Sequence, residues 1–371
     1  MISKISSVLM SAFVIGQCSA WALADQKPQW KGTITKDGDI VVVNNPKKPQ
    51  YSADIFSFEE DLAIGGQDSA DFILGDITSV CLGENGAIYI LDGKEKNVKV
   101  FGSDGKYLRT FGRAGDGPGE FKVPNRIYFT NKSEVLVVDI RRLSIFKPNG
   151  DHVRDVSAAT LDLSDACPDS RGNFFAYLIV RDMSNPRYEL RKIDSELKTL
   201  FVLDSSPLPN LARDGFNPVF PILRWSTLSG DKAVCGYAEK SELKIYDAKG
   251  QVVRKIVMNT DSPISISQKD IEERTKGVPP SILKNMKIPK YYPFFRYIAT
   301  DDEDRIFVLT YERPSERKGY CFDVFDAEGR YIVRTVLPSL IPLIRKGHLY
   351  AIEESDEGYP VLKRYKIRWK L

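Results

Sequence analysis

The 371-residue chain is 42% hydrophobic and 11% aromatic, enough apolar material for a large core, built either as two average domains or as one closed all-β unit. Its 53 basic and 50 acidic side chains nearly cancel to a formal charge of +3, which excludes the basic excess that nucleic-acid binders carry. Two histidines in the whole chain leave little imidazole for zinc sites or general bases.

In chain order, residues 1–24 read as an export signal. Lys4 supplies the basic start, Val8 to Gly16 the apolar stretch, and Ala22-Leu-Ala24 a small-x-small cleavage site, with cleavage after Ala24. The apolar stretch is too short to span a membrane, and no later segment reaches the length a transmembrane helix needs. Gln17 is bulkier than the small residue a lipoprotein site wants before Cys18. The expectation is a soluble monomer, periplasmic or secreted. Residues 25–54 form an N-terminal extension, in which 31–45 reads as a β-hairpin turning at Asp37-Gly38.

Beyond the extension one phrase recurs five times: a hydrophobic residue, a polar turn, then another strand. The copies start at Phe101, Phe146, Ile193, Tyr246 and Phe325, and four places on from each stand Gly105, Gly150, Leu197, Gly250 and Gly329. Glycine there supplies the positive φ of a tight hairpin. Alignment of the turns exposes a four-strand unit. In its first copy the strands are Asp76–Leu82, Ala87–Leu91, Asn97–Phe101 and Lys106–Gly112. Later copies cover 121–159, 160–204, 217–258 and 292–337, and the turns between first and second strands fall at Gly86, Ser133, Gly172, Asp231, Asp304 and Gly347.

A sixth copy, 338–371, has strands at Leu340–Ile344, His348–Ile352 and Val361–Ile367 and then stops. The segment Ile55 to Gly66 looks like the missing outer strand. Pairing it with the last copy closes a ring without open edges. The predicted fold is therefore an all-β, six-bladed β-propeller over 55–371, with four-stranded antiparallel blades and an N-terminal strand completing the last. One helical insertion at 262–291 interrupts it. There Ser267 and Asp270 form a capping pair, Gly277 and Pro279-Pro280 end the helix, and a second helical turn falls near Ser281–Met286.

The first copy, Ala87-Ile-Tyr-Ile-Leu-Asp-Gly through Phe101 and on to Gly115-Asp-Gly-Pro-Gly-Glu-Phe121, resembles an NHL repeat, with Asp92, Asn97 and the glycine-rich exit loop in the family's typical places. The resemblance is close over 76–160, is carried by the turns as far as 337, and is loose elsewhere. It implies an exported bacterial six-bladed propeller, a type most of whose members have no assigned activity and whose fold hosts both enzymes and binding platforms. Some NHL-type enzymes, such as the amidating lyase, hold zinc with several channel histidines. His152 and His348, in non-equivalent positions, cannot rebuild that site.

Other chemistry is weakly represented. Gly112 to Gly119 is followed by a strand near Val123 rather than by a helix, so it reads as a connector and not as a phosphate loop. There is no Gly-x-Ser-x-Gly elbow and no Asp-x-Asp-x-Asp loop. Cys81, Cys167, Cys235 and Cys321 fall mostly in non-adjacent blades and make no Cys-x-x-Cys pair, so they read as buried free thiols. No catalytic residue, metal or cofactor is predicted.

The candidate site comes from the repeat register. Seven residues before each first turn stand Ser79, Arg126, Asp165, Arg224, Tyr297 (with Arg296 beside it) and Leu340, where NHL proteins usually carry a small residue. Tyr128, Trp225 and Phe295 accompany them. In one reading the arginines pair with Asp165, Asp76 or Asp162 and hold the ring together. In the other, Arg126, Arg224 and Arg296 converge on a channel mouth with Asp165, Tyr128, Trp225 and Tyr297 and bind an anion, since guanidinium forks grip carboxylate or phosphate and aromatic rings wall the ligand. The expected function is thus a non-catalytic binding module whose partner is an unknown protein, a glycan or a small anion. The alternative is a lyase or hydrolase that uses channel carboxylates and a bound cation.

Overall fold

A computed structural model describes residues 28–66, 72–209, 215, 217–259, 263–314 and 318–370; the expected leader and its cleavage site lie outside them. Six antiparallel four-stranded units stand around a central channel. Their innermost strands are Ile77–Leu82, Arg126–Phe129, Leu163–Pro168, Leu223–Leu228, Tyr297–Thr300 and Leu343–Arg345, in blades one to six. The sixth innermost strand starts later than the sequence pattern indicates. Pro342 has no N–H for the ladder, so pairing begins at Leu343 opposite Tyr350.

The ring is closed by the N-terminal strand Phe56–Gly65, which pairs with Pro360–Trp369 from Trp369↔Phe56 to Val361↔Gly65. It fills the place of an outer strand in packing as well. A Cβ on Gly105 of blade one would come within 2.6 Å of Leu62, as one on Gly150 of blade two would come within 2.8 Å of Phe111 on the outer strand of blade one. The turn glycines are therefore needed for close approach as well as for their φ of 80° and 97°.

The hairpin Thr33–Asp37/Ile40–Asn44 adds two strands to blade four, Val41 to Asn44 running parallel to Arg254 to Val257. Asn45 then bridges two blades. Its amide donates to the carbonyls of Val257 (3.3 Å) and Gly329 (2.9 Å), and its side-chain oxygen accepts from the N–H of Tyr331 (2.6 Å). Between blades the core is aromatic and aliphatic, with Phe101, Phe121, Phe146, Phe175, Phe295, Phe307, Phe322 and Phe325 fully buried; each such ring stabilises the fold by about 2 kcal/mol. Cys81, Cys235 and Cys321 are buried free thiols, and Cys167 is a half-buried one.

One face of the ring carries the turns between first and second strands. The six turn residues aligned from the sequence all have positive φ, from 55° at Ser133 to 86° at Gly172. Neighbouring turns are hydrogen-bonded in an unbroken circuit. Ser133 meets Glu84, and Asn131 donates to the Ser170 carbonyl. Ser170 donates through N–H and hydroxyl to Asp231 (2.8 and 2.6 Å), and Ser229 does the same to Asp304 (2.7 and 2.5 Å). The Lys346 N–H reaches Asp302 (2.5 Å), and its ammonium reaches the Gly83 carbonyl (2.9 Å) in blade one. The opposite face carries the crossovers between blades and the insertion, whose helices are α1 (Gln268–Thr275) and α2 (Pro280–Leu283). Ser267 and Asp270 cap α1 reciprocally.

Candidate functional site

The channel holds a cavity of about 570 Å³, a size that suits a small molecule. Arg126, Tyr128, Asp165, Arg224, Trp225 and Tyr297 line it; Arg296 does not. The first four come from the innermost strands of blades two, three and four, placed there because the free edge of each such strand faces the axis.

Two of the charges answer each other. Arg126 Nε lies 3.5 Å from Asp165 Oδ2, and its terminal nitrogen donates to the Asn125 carbonyl at 2.9 Å. The Tyr128 hydroxyl donates to Asp165 Oδ1 at 2.8 Å. Burial pushes the Asp165 carboxyl above its usual range, while Arg126 and Tyr128 pull it back. Burial disfavours the Arg126 charge, but Asp165 outweighs that and raises its pKa.

Arg224 is different. Among the described residues no carboxylate or other acceptor is hydrogen-bonded or ion-paired to it, and its surroundings are the phenols of Tyr177, Tyr311, Tyr297 and Tyr188. Burial accordingly lowers its pKa, the reverse of what an ion pair does. Tyr177 and Tyr188 stack nearly parallel, 5.5 Å apart, and the buried Tyr177 hydroxyl has no hydrogen-bond partner among the described residues. Trp225 leans on Phe175 at 6.5 Å.

Arg296 faces outward from the cavity wall, its guanidinium 5.3 Å from the centre of the Tyr311 ring. Arg296 stands one residue before the innermost strand Tyr297–Thr300, and Tyr297 is the residue of the two that lines the cavity. Tyr177, Tyr188 and Tyr311 lie outside the innermost strands: midway along Phe174–Val180, at the start of Arg187–Ile193 and just beyond Ile306–Leu309, where the repeat register has no signal for them. At the other end of the cavity Arg345 is fully engaged. It donates to the carbonyls of Thr300 and Ile344 and lies 3.4 Å from Asp302.

His152 bonds Asp155 at 2.9 Å on an outer strand, and His348 bonds the Lys346 carbonyl at 2.8 Å; neither lines the cavity. Among the described residues no three His, Cys, Asp or Glu side chains are grouped to hold a metal ion. No described helix is long and apolar enough to cross a membrane.

Comparison with known proteins agrees with this architecture. A family described as a 6-bladed beta-propeller matches residues 29–204. No curated protein matches the chain. Among solved structures, a candidate exported protein from Bacteroides fragilis is similar at a TM-score of 0.57 and 12% identity, over 86% of this chain and 96% of that one. A DUF4221 family member from Bacteroides vulgatus aligns at 0.51 and 13%, over 85% and 99%. A gluconolactonase from Xanthomonas campestris aligns at 0.46 and 11%, over 83% and 98%. At such identities the likeness is one of fold.

Proposed function

We propose that the protein is an exported, NHL-type propeller that binds an anionic ligand at the crossover mouth of its channel and performs no catalysis there. The observation that carries this reading is Arg224: a half-buried guanidinium in a cavity, ringed by tyrosines and without an acidic partner among the described residues. A lone buried charge is costly unless something pairs with it, and a ligand anion is the group that would do so. Arg126, held from one side by Asp165, supplies a second fork; Tyr128, Trp225 and Tyr297 supply walls, and Arg296 stands on the rim. The cavity's size and position support a small ligand group entering it from the crossover face.

A thermal-shift series with sulfate, acetate, glucuronate and glucose tests the reading. The anions raise the melting temperature saturably and glucose does not, because a ligand that binds only the native state stabilises it. Flat melting curves for all three anions at millimolar concentration, or the same shifts in Arg224→Gln, would show the reading to be wrong.

A further inference from the structure

The anion-binding reading gains a ligand class from a feature outside the cavity. Tyr292 and Tyr311 stack at 4.3 Å with 19° between their planes. The Arg274 guanidinium, on α1, lies 5.3 Å from the Tyr292 ring and 5.8 Å from that of Tyr311, while Arg296 lies over Tyr311 at 5.3 Å. The Tyr311 phenol therefore has three arginines around it, with Arg224 on the cavity side.

The nearby carboxylates are already taken. Asp270 and Glu273 are held by Arg313, and Glu312 by Arg334. No hydrogen bond or ion pair among the described residues engages Arg274 or Arg296, and the two repel each other: Arg274 helps burial to lower the Arg296 pKa. The Arg313 contacts fix α1 over the mouth, so the Arg274 position is built into the fold.

We propose that the anion site runs from Arg224 in the channel out to Arg296 and Arg274 on the rim, and that its ligand is an acidic oligosaccharide with carboxylates on more than one ring. This rests on the channel reading above. Arg224 lines the cavity and the other two do not, so one ligand that meets all three is elongated and carries at least two negative groups. The surface is rich in donors: three guanidinium groups, and the unpartnered Tyr177 hydroxyl. The Asp165 carboxylate beside Arg126 is occupied by Tyr128 and Arg126. The backbone N–H groups of an acidic peptide are further donors facing a surface made chiefly of donors, where Asn125 Oδ1 beside Arg126 is a buried acceptor left without a partner among the described residues. Sugar hydroxyls, ring oxygens and carboxylates accept, and the C–H faces of sugar rings pack on tyrosine, which a bare polyphosphate cannot do.

Calorimetric titration of the purified protein with galacturonic acid, trigalacturonate, triglutamate and tripolyphosphate decides the matter. Trigalacturonate binds tightest, and its advantage over the monosaccharide narrows on the order of tenfold in Arg274→Gln, the effect of losing one charge-assisted hydrogen bond. Arg274→Lys restores part of it, and Arg224→Gln weakens both sugars. An unchanged trimer advantage in Arg274→Gln overturns the extension onto the helix while sparing the channel reading. Unchanged binding in Arg224→Gln overturns the channel reading itself. Tighter binding of triglutamate or tripolyphosphate overturns the sugar assignment.

Discussion

The two mouths of the channel are built from the same repeat and solve opposite problems. At the turn mouth every blade hands a hydrogen bond to the next, from Glu84 round to Lys346 and back to Gly83. Even its arginine, Arg345, is satisfied by two carbonyls and Asp302. At the crossover mouth blades one and two are sealed. Asp92 accepts from the N–H groups of Gly75 and Asp76, and Asp139 from those of Lys122 and Val123, pinning each incoming crossover. The same register position holds Leu178, Tyr237 and Thr310 in blades three to five. Where the aspartate anchor is absent, Arg224, Arg274 and Arg296 gather around Tyr311, none of the three hydrogen-bonded or ion-paired among the described residues. Polar groups that complete one another hold a ring together, and polar groups left incomplete point to something from outside.

The contrast can be attacked first at the turn mouth, where the largest loss of stability is expected. Asp231→Ala combined with Asp304→Ala removes four hydrogen bonds from Ser170 and Ser229, and alanine tolerates the positive φ at these positions worse than aspartate. The pair costs about 3 kcal/mol, and the melting temperature falls by about 6 °C. Sulfate affinity stays at the parent value. A variant that melts normally would mean the circuit is ornamental, and one that loses sulfate binding would mean the two mouths are not separable.

A smaller change of the opposite sign is expected across the channel. Burial penalises the Arg224 charge with no carboxylate among the described residues to offset it, so Arg224→Met exchanges that cation for apolar surface of similar length. Stability rises by about 1 kcal/mol and the melting temperature by about 2 °C, while anion binding is lost. Differential scanning calorimetry with and without sulfate reads both. A destabilised Arg224→Met would place this arginine with the structural charges of the turn mouth instead.

Much of this was legible because backbone constraints repeat and functional ones do not. The spacing of Gly105, Gly150, Leu197, Gly250 and Gly329 is dictated by positive φ, which all five have, so it revealed the blade count without any long-range information. The seven-residue count found Arg126, Asp165, Arg224 and Tyr297 because innermost strands share one register around the axis. Arg296 is not among the residues that line the cavity, and the count had no means to find Tyr177, Tyr188, Tyr311 or Arg274. Those residues come from second and third strands, from the segment after one of them and from α1, each by its own route. The charge state of the pair at the mouth was equally hidden, since it depends on burial.

That pair gives the smallest predicted effect and the sharpest test of the crossover mouth. Burial raises the Asp165 carboxyl above its ordinary value of 3.8, against the pull of Arg126 and Tyr128. A carboxyl raised by folding favours its protonated form in the native state, so the cost of burying the charge is present at neutral pH and is relieved as the pH falls through the folded value. Protonation also releases Arg126 from its one carboxylate partner and frees it for a ligand. Sulfate remains fully ionised there, so its affinity reports the protein alone and rises as the pH falls toward the raised folded value of Asp165. Asp165→Asn binds sulfate at pH 7 as the parent does at low pH, and its profile is flat. A parent profile that is already flat would mean that Asp165 does not compete for Arg126, and a slope retained in Asp165→Asn would assign the pH dependence to groups other than Asp165.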